Sequence, residues 1–258
     1  MGNTQMQDTW NANLYDAKHA FVSKYGDQLV DLLAPKAGEK ILDLGCGTGD
    51  LAKKLYDAQV DVVGVDNSLN MVTQAQKKYP TIEFGVRDAT DLGYSNEFDA
   101  VFSNATLHWI KSPKQALTCI YQSLQQGGRF VAEFGGKENV QAITDGIIHQ
   151  VKEAGFDYNT EQFPWYYPSI GEYASLMEEA GFRVTFAQHY DRPTPLDGDN
   201  GLRNWIDMFC GAFFRGIEED EKNDLLTKIE HHLRPILYKE DQWVADYKRI
   251  RVMGVKEK

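Results

Sequence analysis

Residues 41–50 read I-L-D-L-G-C-G-T-G-D. The run E-K-I-L-D-L (39–44) has the length and apolar content of a buried strand. The stretch G-D-L-A-K-K-L-Y-D (49–57) sets Leu51 and Leu55 on one helical face. Between them stand Gly45, Gly47 and Gly49. A strand that turns into a helix through glycines can take positive φ and bring its backbone close to a ligand, because no Cβ stands in the way. The spacing bears on which ligand. A dinucleotide fingerprint, G-x-G-x-x-G, needs its third glycine at position 50, where this chain has Asp50, and a carboxylate at a helix N-terminus repels a pyrophosphate. The pattern here is G-x-G-x-G, with Asp43 two residues ahead of the first glycine. A glycine turn with no ligand is the plain alternative, since G-x-G variants are individually weak signals.

Outward from this turn, short apolar runs alternate with helical ones. V-D-V-V-G-V-D (60–66), T-I-E-F-G-V (81–86), E-F-D-A-V-F (97–102) and G-R-F-V-A-E-F (128–134) read as strands. S-L-N-M-V-T-Q-A-Q-K-K-Y (68–79) reads as a helix capped by Ser68; P-K-Q-A-L-T-C-I-Y-Q-S-L (113–124) starts on proline and ends near Gly127–Gly128. This alternation predicts an α/β fold, a doubly wound, Rossmann-like, mainly parallel sheet. Further on, 138–154 and 169–180 are helix-like, 182–190 is a strand, 191–239 is mostly helical, and a last strand falls within 243–255. The expected division is an N-terminal helical lid (1–35), a cofactor-binding core (36–136), and the remainder of the sheet (137–258). A helical cap (about 191–240) is inserted before the last strand, all in one structural domain.

At 258 residues the chain has room for one large domain or a domain with an insertion. Its 38 acidic residues against 27 basic ones give a formal charge of −11, which repels phosphate backbones and argues against a nucleic-acid partner. No apolar run reaches membrane-spanning length, and Met1–Trp10 is too polar for a signal peptide. The expectation is a cytoplasmic protein without a membrane partner. Cys46, Cys119 and Cys210 are scattered and lack C-x-x-C spacing, which suits a reducing compartment and offers no zinc site.

The order Asp43-x-Gly45-x-Gly47-x-Gly49 at the end of the first strand resembles the first motif of class I S-adenosylmethionine-dependent methyltransferases. That cofactor carries no phosphate, so the turn needs closeness more than anion binding; its ammonium group suits a carboxylate such as Asp43. The resemblance implies S-adenosylmethionine as cofactor, S-adenosylhomocysteine as product, no metal, and contacts at Asp43, Gly45, Cys46 and Gly47. Asp66 ends V-G-V-D, 21 residues after Gly45, where a carboxylate accepts from ribose hydroxyls; capping the helix near Ser68 is its plainer role. Asn67 and Met71 are placed near ribose and adenine, although Met71 fits a core position equally. In R-D-A-T-D-L (87–92), Asp88 meets the adenine amine and the amide of Ala89 a ring nitrogen, with a simple turn role left open for Asp88 and Asp91.

S-N-A-T-L-H-W-I (103–110) follows the fourth strand. By the same resemblance Asn104 and Ala105 line the methionine end of the cofactor. His108 lies one turn further, near the transferred methyl or the adenosine. It is a candidate catalytic base if the acceptor carries a proton, and otherwise packs at the strand exit with Trp109 buried beneath it. W-N-A-N-L-Y-D-A-K-H-A-F-V (10–22) is similar to helices that close over the cofactor in this family, which points to Tyr15 and His19, against a plain docking helix.

The wider chain is most similar to the trans-aconitate methyltransferase group. The N-terminal helix, S-N-A-T-L-H-W-I, and the later stretches F-P-W-Y-Y-P-S-I-G-E-Y, D-R-P-T-P-L and G-L-R-N-W-I-D-M-F carry that likeness. The family holds no fixed residue at His108. The resemblance implies methylation of a small-molecule acceptor at a carboxylate oxygen of an organic acid, by in-line transfer. O-, N- or C-methylation of another metabolite, with His108 as general base, and a non-enzymatic cofactor-binding module are the alternatives. A carboxylate-rich substrate calls for arginines and aromatic hydroxyls. Arg192 and Arg203 with Tyr166 and Tyr167 are the candidates, and Trp165, Trp205 and Phe209 form a candidate apolar wall. A monomer or weak dimer is expected.

Overall fold

The computed structural model describes residues 26–257. In chain order its elements are α1 (Asp27–Leu33), β1 (Lys40–Leu44), α2 (Asp50–Asp57), β2 (Asp61–Asp66), α3 (Leu69–Lys78), β3 (Glu83–Val86), β4 (Phe98–Asn104), α4 (Pro113–Ser123) and β5 (Leu124–Gly135). There follow α5 (Gln141–Glu153), α6 (Ile170–Glu179), β6 (Phe182–Asp191), β7 (Thr194–Pro195), α7 (Gly201–Phe209), α8 (Glu219–Leu237), β8 (Tyr238–Lys239), β9 (Gln242–Ala245) and β10 (Lys248–Lys256). The expected N-terminal helix, with Tyr15 and His19, lies outside the described residues.

Seven strands form one sheet in the order β3-β2-β1-β4-β5-β10-β6. β1 pairs in parallel with β2 and with β4, β2 with β3, and β4 with β5. The doubly wound, mainly parallel α/β sheet read from the alternating sequence is therefore present. Its strand order reverses at β1, which has β2 on one side and β4 on the other, and the crevice at such a reversal is where open α/β sheets bind ligands. The buried runs of the central strands need cover on both faces. On one of them Leu29 and Leu33 of α1, Leu51 and Leu55 of α2 and Val72 of α3 join Ile41, Val62 and Phe102 in a single buried cluster. Each such side chain contributes about 1.5–3 kcal/mol by leaving water.

Two boundaries differ from the sequence reading. α4 ends at Ser123 without a glycine stop and the chain enters β5 at once, so Gly127 and Gly128 lie inside the strand. There the β4–β5 register shifts, with Phe98 opposite Leu124 but Ala100 opposite Arg129, and Gly127 takes φ 84°. The end of α4 is closed instead by buried Lys256, whose Nζ donates to the carbonyls of Tyr121 and Leu124 and to Asn96 Oδ1 at 2.8–3.0 Å. The expected last strand over 243–255 is two strands, β9 and β10. They part at Asp246, whose carboxylate leaves the ladder to accept the amide of Ala142 at the start of α5.

Of the described residues, 26–134, 169–188 and 250–257 form one compact unit, and 135–168 with 189–249 form a second. The second unit holds α5, α7, α8 and a small antiparallel sheet in the order β7-β9-β8. Residues 191–240, read as a helical cap, supply β7, α7, α8 and β8 to it; the short strands β7 and β8 were not foreseen there. Among the described residues no helix is long and apolar enough to cross a membrane.

Candidate active site

Within the first unit, the glycine turn hangs from the neighbouring strand. The amides of Gly45 and Cys46 both donate to the carbonyl of Val65, at 2.7 and 3.0 Å. Gly45 sits at φ 75°, and a Cβ there would come within 2.0 Å of Thr106 Oγ1. Gly47, at φ 55°, faces open space where its Cβ would be. Gly49 is different: a Cβ would strike Phe84 and Tyr79, so this glycine serves helix packing. Asp50, which argues against a pyrophosphate, turns toward α3, where Lys78 Nζ and Tyr79 Oη donate to its Oδ1, each at 2.6 Å.

Two carboxylates flank the turn. Asp43, at the C-terminal end of β1, is 2 % exposed. Burial, then the nearby charge of Asp66, pushes its carboxyl up to about 7, against the backbone amide of Ala52. Its Oδ2 accepts no hydrogen bond among the described residues. Asp66, at the end of β2, accepts from the amide of Gly47 at 3.0 Å and from that of Ser68 at 2.9 Å. Ser68 caps α3 as expected, its Oγ accepting the amide of Met71 at 3.1 Å.

The exit of β4 is stapled to the same turn. Ser103 Oγ donates to the carbonyl of Leu44 at 2.8 Å and Thr106 Oγ1 to that of Gly45 at 3.2 Å. Asn104 is buried; Ala105 takes φ 59°, uncommon for a residue with a Cβ, and donates its amide to Glu133 at 2.7 Å. His108 lies in a three-residue 3-10 turn, Leu107–Trp109, and is 7 % exposed. Trp109 is not buried beneath it: it is only half-buried, its ring 5.6 Å from that of His108, because one residue's step in so tight a turn swings the indole outward.

Other cofactor candidates follow from their strands. Asn67 is exposed and Met71 is buried on α3. Asp88 is exposed, its Oδ1 accepting from both the amide and the hydroxyl of Thr90, and Ala89 is buried. Cys46 is buried, and burial raises its thiol well above the ordinary range, so it stays a neutral packing group.

The substrate candidates all lie in the second unit. Trp165 stacks on Tyr167 (5.5 Å, 18°) and meets Trp205 at 6.2 Å; Phe209 sits 5.2 Å from Trp205 on the next turn of α7. Tyr166 is half-buried, and burial pushes the phenol of Tyr167 well above its usual range. Trp205 Nε1 donates to the hydroxyl of Tyr247 at 2.6 Å. Arg192 lies over the Tyr247 ring, 5.7 Å from its centre. Arg203 is not brought to this ring: its Nη2 pairs with Glu230 at 2.7 Å and donates to Thr227.

Four residues join the picture that the sequence reading passed over. Ser103 and Thr106 stand inside the quoted S-N-A-T and act through backbone carbonyls, which sequence does not display. Tyr247 and Arg249 belong to D-Y-K-R-I-R-V, read only as a strand; their i, i+2 spacing places both side chains on one side of an extended chain, and that was the available signal. Arg249 Cζ lies 4.7 Å from the centre of the Tyr247 ring.

The first unit fits S-adenosylmethionine: an orphaned, buried carboxylate oxygen for an ammonium, an open backbone at Gly47, and Asp66 beside it with further acceptor capacity.

Comparison with known proteins agrees. A family model described as a methyltransferase domain matches residues 42–132. An uncharacterised methyltransferase of Schizosaccharomyces pombe is 31% identical across 97% of this chain and 99% of its own length. The phosphoethanolamine N-methyltransferase 3 of Arabidopsis thaliana is 30% identical over 62% of the chain, which spans 32% of that longer protein. The trans-aconitate 2-methyltransferase of Deinococcus radiodurans is 28% identical over 76% of the chain and 79% of its own. In fold, the YcgJ protein of Bacillus subtilis superposes with a TM-score of 0.62 at 16% identity, covering 93% of this chain and 99% of that one.

Proposed function

Because the chain belongs to the class I S-adenosylmethionine-dependent methyltransferases, we propose that it methylates a small organic acid at a carboxylate oxygen. Asp43 takes the cofactor's ammonium, Asp66 with Asn67 the ribose, and Met71, Asp88 and Ala89 the adenine. Gly45, Cys46 and Gly47 give close backbone approach, and Asn104 and Ala105 line the methionine end. S-adenosylmethionine, when bound, supplies a sulfonium methyl: a C–O bond forms to the acceptor as the C–S bond breaks, the electron pair stays on sulfur, and the opposite charges cancel with no proton moved.

The acceptor therefore needs alignment and a dry site more than a base. Trp165, Tyr166, Tyr167, Trp205 and Phe209 provide the apolar wall and Arg192 a positive charge. Arg203, paired with Glu230, is left to hold α7 on α8. His108 is assigned to the wall of the cofactor site. The observation that carries the acid reading is the placement of two guanidiniums, Arg192 and Arg249, on the Tyr247 ring within this aromatic cluster. The similarity to a trans-aconitate 2-methyltransferase supports it. We place the enzyme in the cytoplasm, as a monomer or weak dimer.

A second reading follows from the plant relative: a phosphorylated amine would use the same positive charge, but its nitrogen must lose a proton, which gives His108 a catalytic role. Release of S-adenosylhomocysteine, followed over a panel of organic acids and phosphorylated amines, separates the two. Turnover of acids with the amines inert is the expected result, and the reverse overturns it.

A further inference from the structure

We propose that Arg249, with Tyr247, is the receptor for an anionic group of the acceptor other than the oxygen that is methylated. The enzyme then selects acids that carry at least two anionic groups. This rests on the acid reading above and assigns the contact that decides specificity within it.

Other buried and half-buried cations among the described residues show what sets Arg249 apart. Lys256 has three acceptors, Arg129 has Glu39 together with two backbone carbonyls, and Arg251 has Glu133. Arg249 is 3 % exposed, yet its Nε and Nη1 are buried and have no hydrogen-bond partner among the described residues. No carboxylate among those residues forms an ion pair with it. A guanidinium cannot shed its proton to escape this, and an uncompensated buried charge is costly. Contact with the face of Tyr247 recovers only part of the cost.

The residue on which the guanidinium lies adds a further donor. The Tyr247 hydroxyl already accepts from Trp205 Nε1 at 2.6 Å, so its own proton points elsewhere and has no acceptor among the described residues. Two N–H donors on one guanidinium and an O–H on the ring it covers, with no acceptor among the described residues, match the oxygens of a carboxylate or a phosphate monoester. The bound group is not the reacting one. Charge-assisted hydrogen bonds engage an oxygen's lone pairs and lower its nucleophilicity, whereas the oxygen that is methylated must present a lone pair to carbon. The acceptor accordingly has one anionic group on Arg249 and another to react.

The test uses the full chain with saturating S-adenosylhomocysteine. Thermal stability is measured with a monocarboxylate, with di- and tricarboxylates, and with inorganic phosphate, for wild type, Arg249→Met, Arg249→Lys and Tyr247→Phe. The multivalent acids are expected to raise the wild-type Tm and the monocarboxylate to do little; a response to phosphate but not to acids assigns the same receptor to a phosphate ester. Arg249→Met, which removes an unpaired charge, is expected to melt no lower than wild type, to bind S-adenosylhomocysteine normally and to lose the anion response. With any acid that is turned over, KM rises about 100-fold in Arg249→Met, with kcat changed much less. Tyr247→Phe keeps the ring and loses the hydroxyl, and its anion response should shrink. An anion response or KM that survives intact in Arg249→Met, or in Tyr247→Phe should the arginine variants not fold, overturns the assignment. If acids stabilise through Arg249 but none is methylated, the assignment stands and the carboxylate-methylation reading fails; if an acid is methylated equally well by Arg249→Met, the reverse holds.

Discussion

Thr106 donates its hydroxyl to the carbonyl of Gly45 at 3.2 Å and also occupies the space into which a Gly45 side chain would grow. The turn after β1 and the exit of β4 are thus set against each other by one residue. Gly45→Ala must push Thr106 aside and hold alanine at φ 75°, a strain of about 1–3 kcal/mol. S-adenosylhomocysteine affinity is expected to fall at least about 10-fold by calorimetry. Thr106→Val keeps the shape and loses only the hydrogen bond, about 1 kcal/mol. Equal affinity in Gly45→Ala and wild type would show that the turn does not meet the cofactor.

Asp43 gives a pH signature. Its carboxyl, raised to about 7 from an ordinary 3.8, binds a proton more tightly in the folded chain than in the unfolded one. The stability it contributes is therefore complete below about pH 4 and is lost as pH rises through 7. A cofactor ammonium favours the ionised form, so binding below pH 7 releases a proton and affinity climbs between pH 5 and 7. Asp43→Asn should flatten that climb, weaken binding, and stabilise the ligand-free protein at pH 8 by on the order of 1–3 kcal/mol. Calorimetry in two buffers of different ionisation enthalpy reads the proton directly; a flat wild-type profile over pH 5–7 speaks against the pairing.

His108 separates the acid reading from its rival. A carboxylate arrives deprotonated, so His108→Ala should keep kcat within about 10-fold, whereas loss of a working general base costs about 100- to 10,000-fold. A loss of that size, with cofactor affinity intact, would assign the proton to His108.

The hairpin of β8 and β9 turns through Glu240 and Asp241, at φ 49° and 58°. A two-residue turn with both residues at positive φ prefers Asn-Gly. Replacing the pair by Asn-Gly is expected to stabilise the protein by about 0.5–1 kcal/mol. Denaturant melts check it; no gain would indicate that the turn is held by other contacts.

The cofactor half was legible in the sequence because its signals are local. Gly45 and Gly47 report a backbone that must approach something, Asp43 and Asp66 stand at the C-terminal ends of apolar runs, and Ser68 announces a helix start. What was hidden is non-local. Lys256 closes α4 from more than 130 positions away, so no glycine stop was needed and the expected one fell inside β5. Asp246 breaks a strand by reaching for the amide of Ala142, over a hundred residues earlier. Arg203 looked available to a substrate because Glu230 belongs to another helix. Arg249 lay in a stretch read only as a strand, and only the structure reveals that its Nε and Nη1 have no hydrogen-bond partner among the described residues.

The central claim, methyl transfer to a carboxylate oxygen, is tested most directly by release of S-adenosylhomocysteine from S-adenosylmethionine over a panel of mono-, di- and tricarboxylic acids, phosphorylated amines and quinols, with the methylated product identified by mass. The account predicts a methyl ester of a multivalent acid and no product from the amines or quinols. An N- or C-methylated product, with every acid inert, would contradict it.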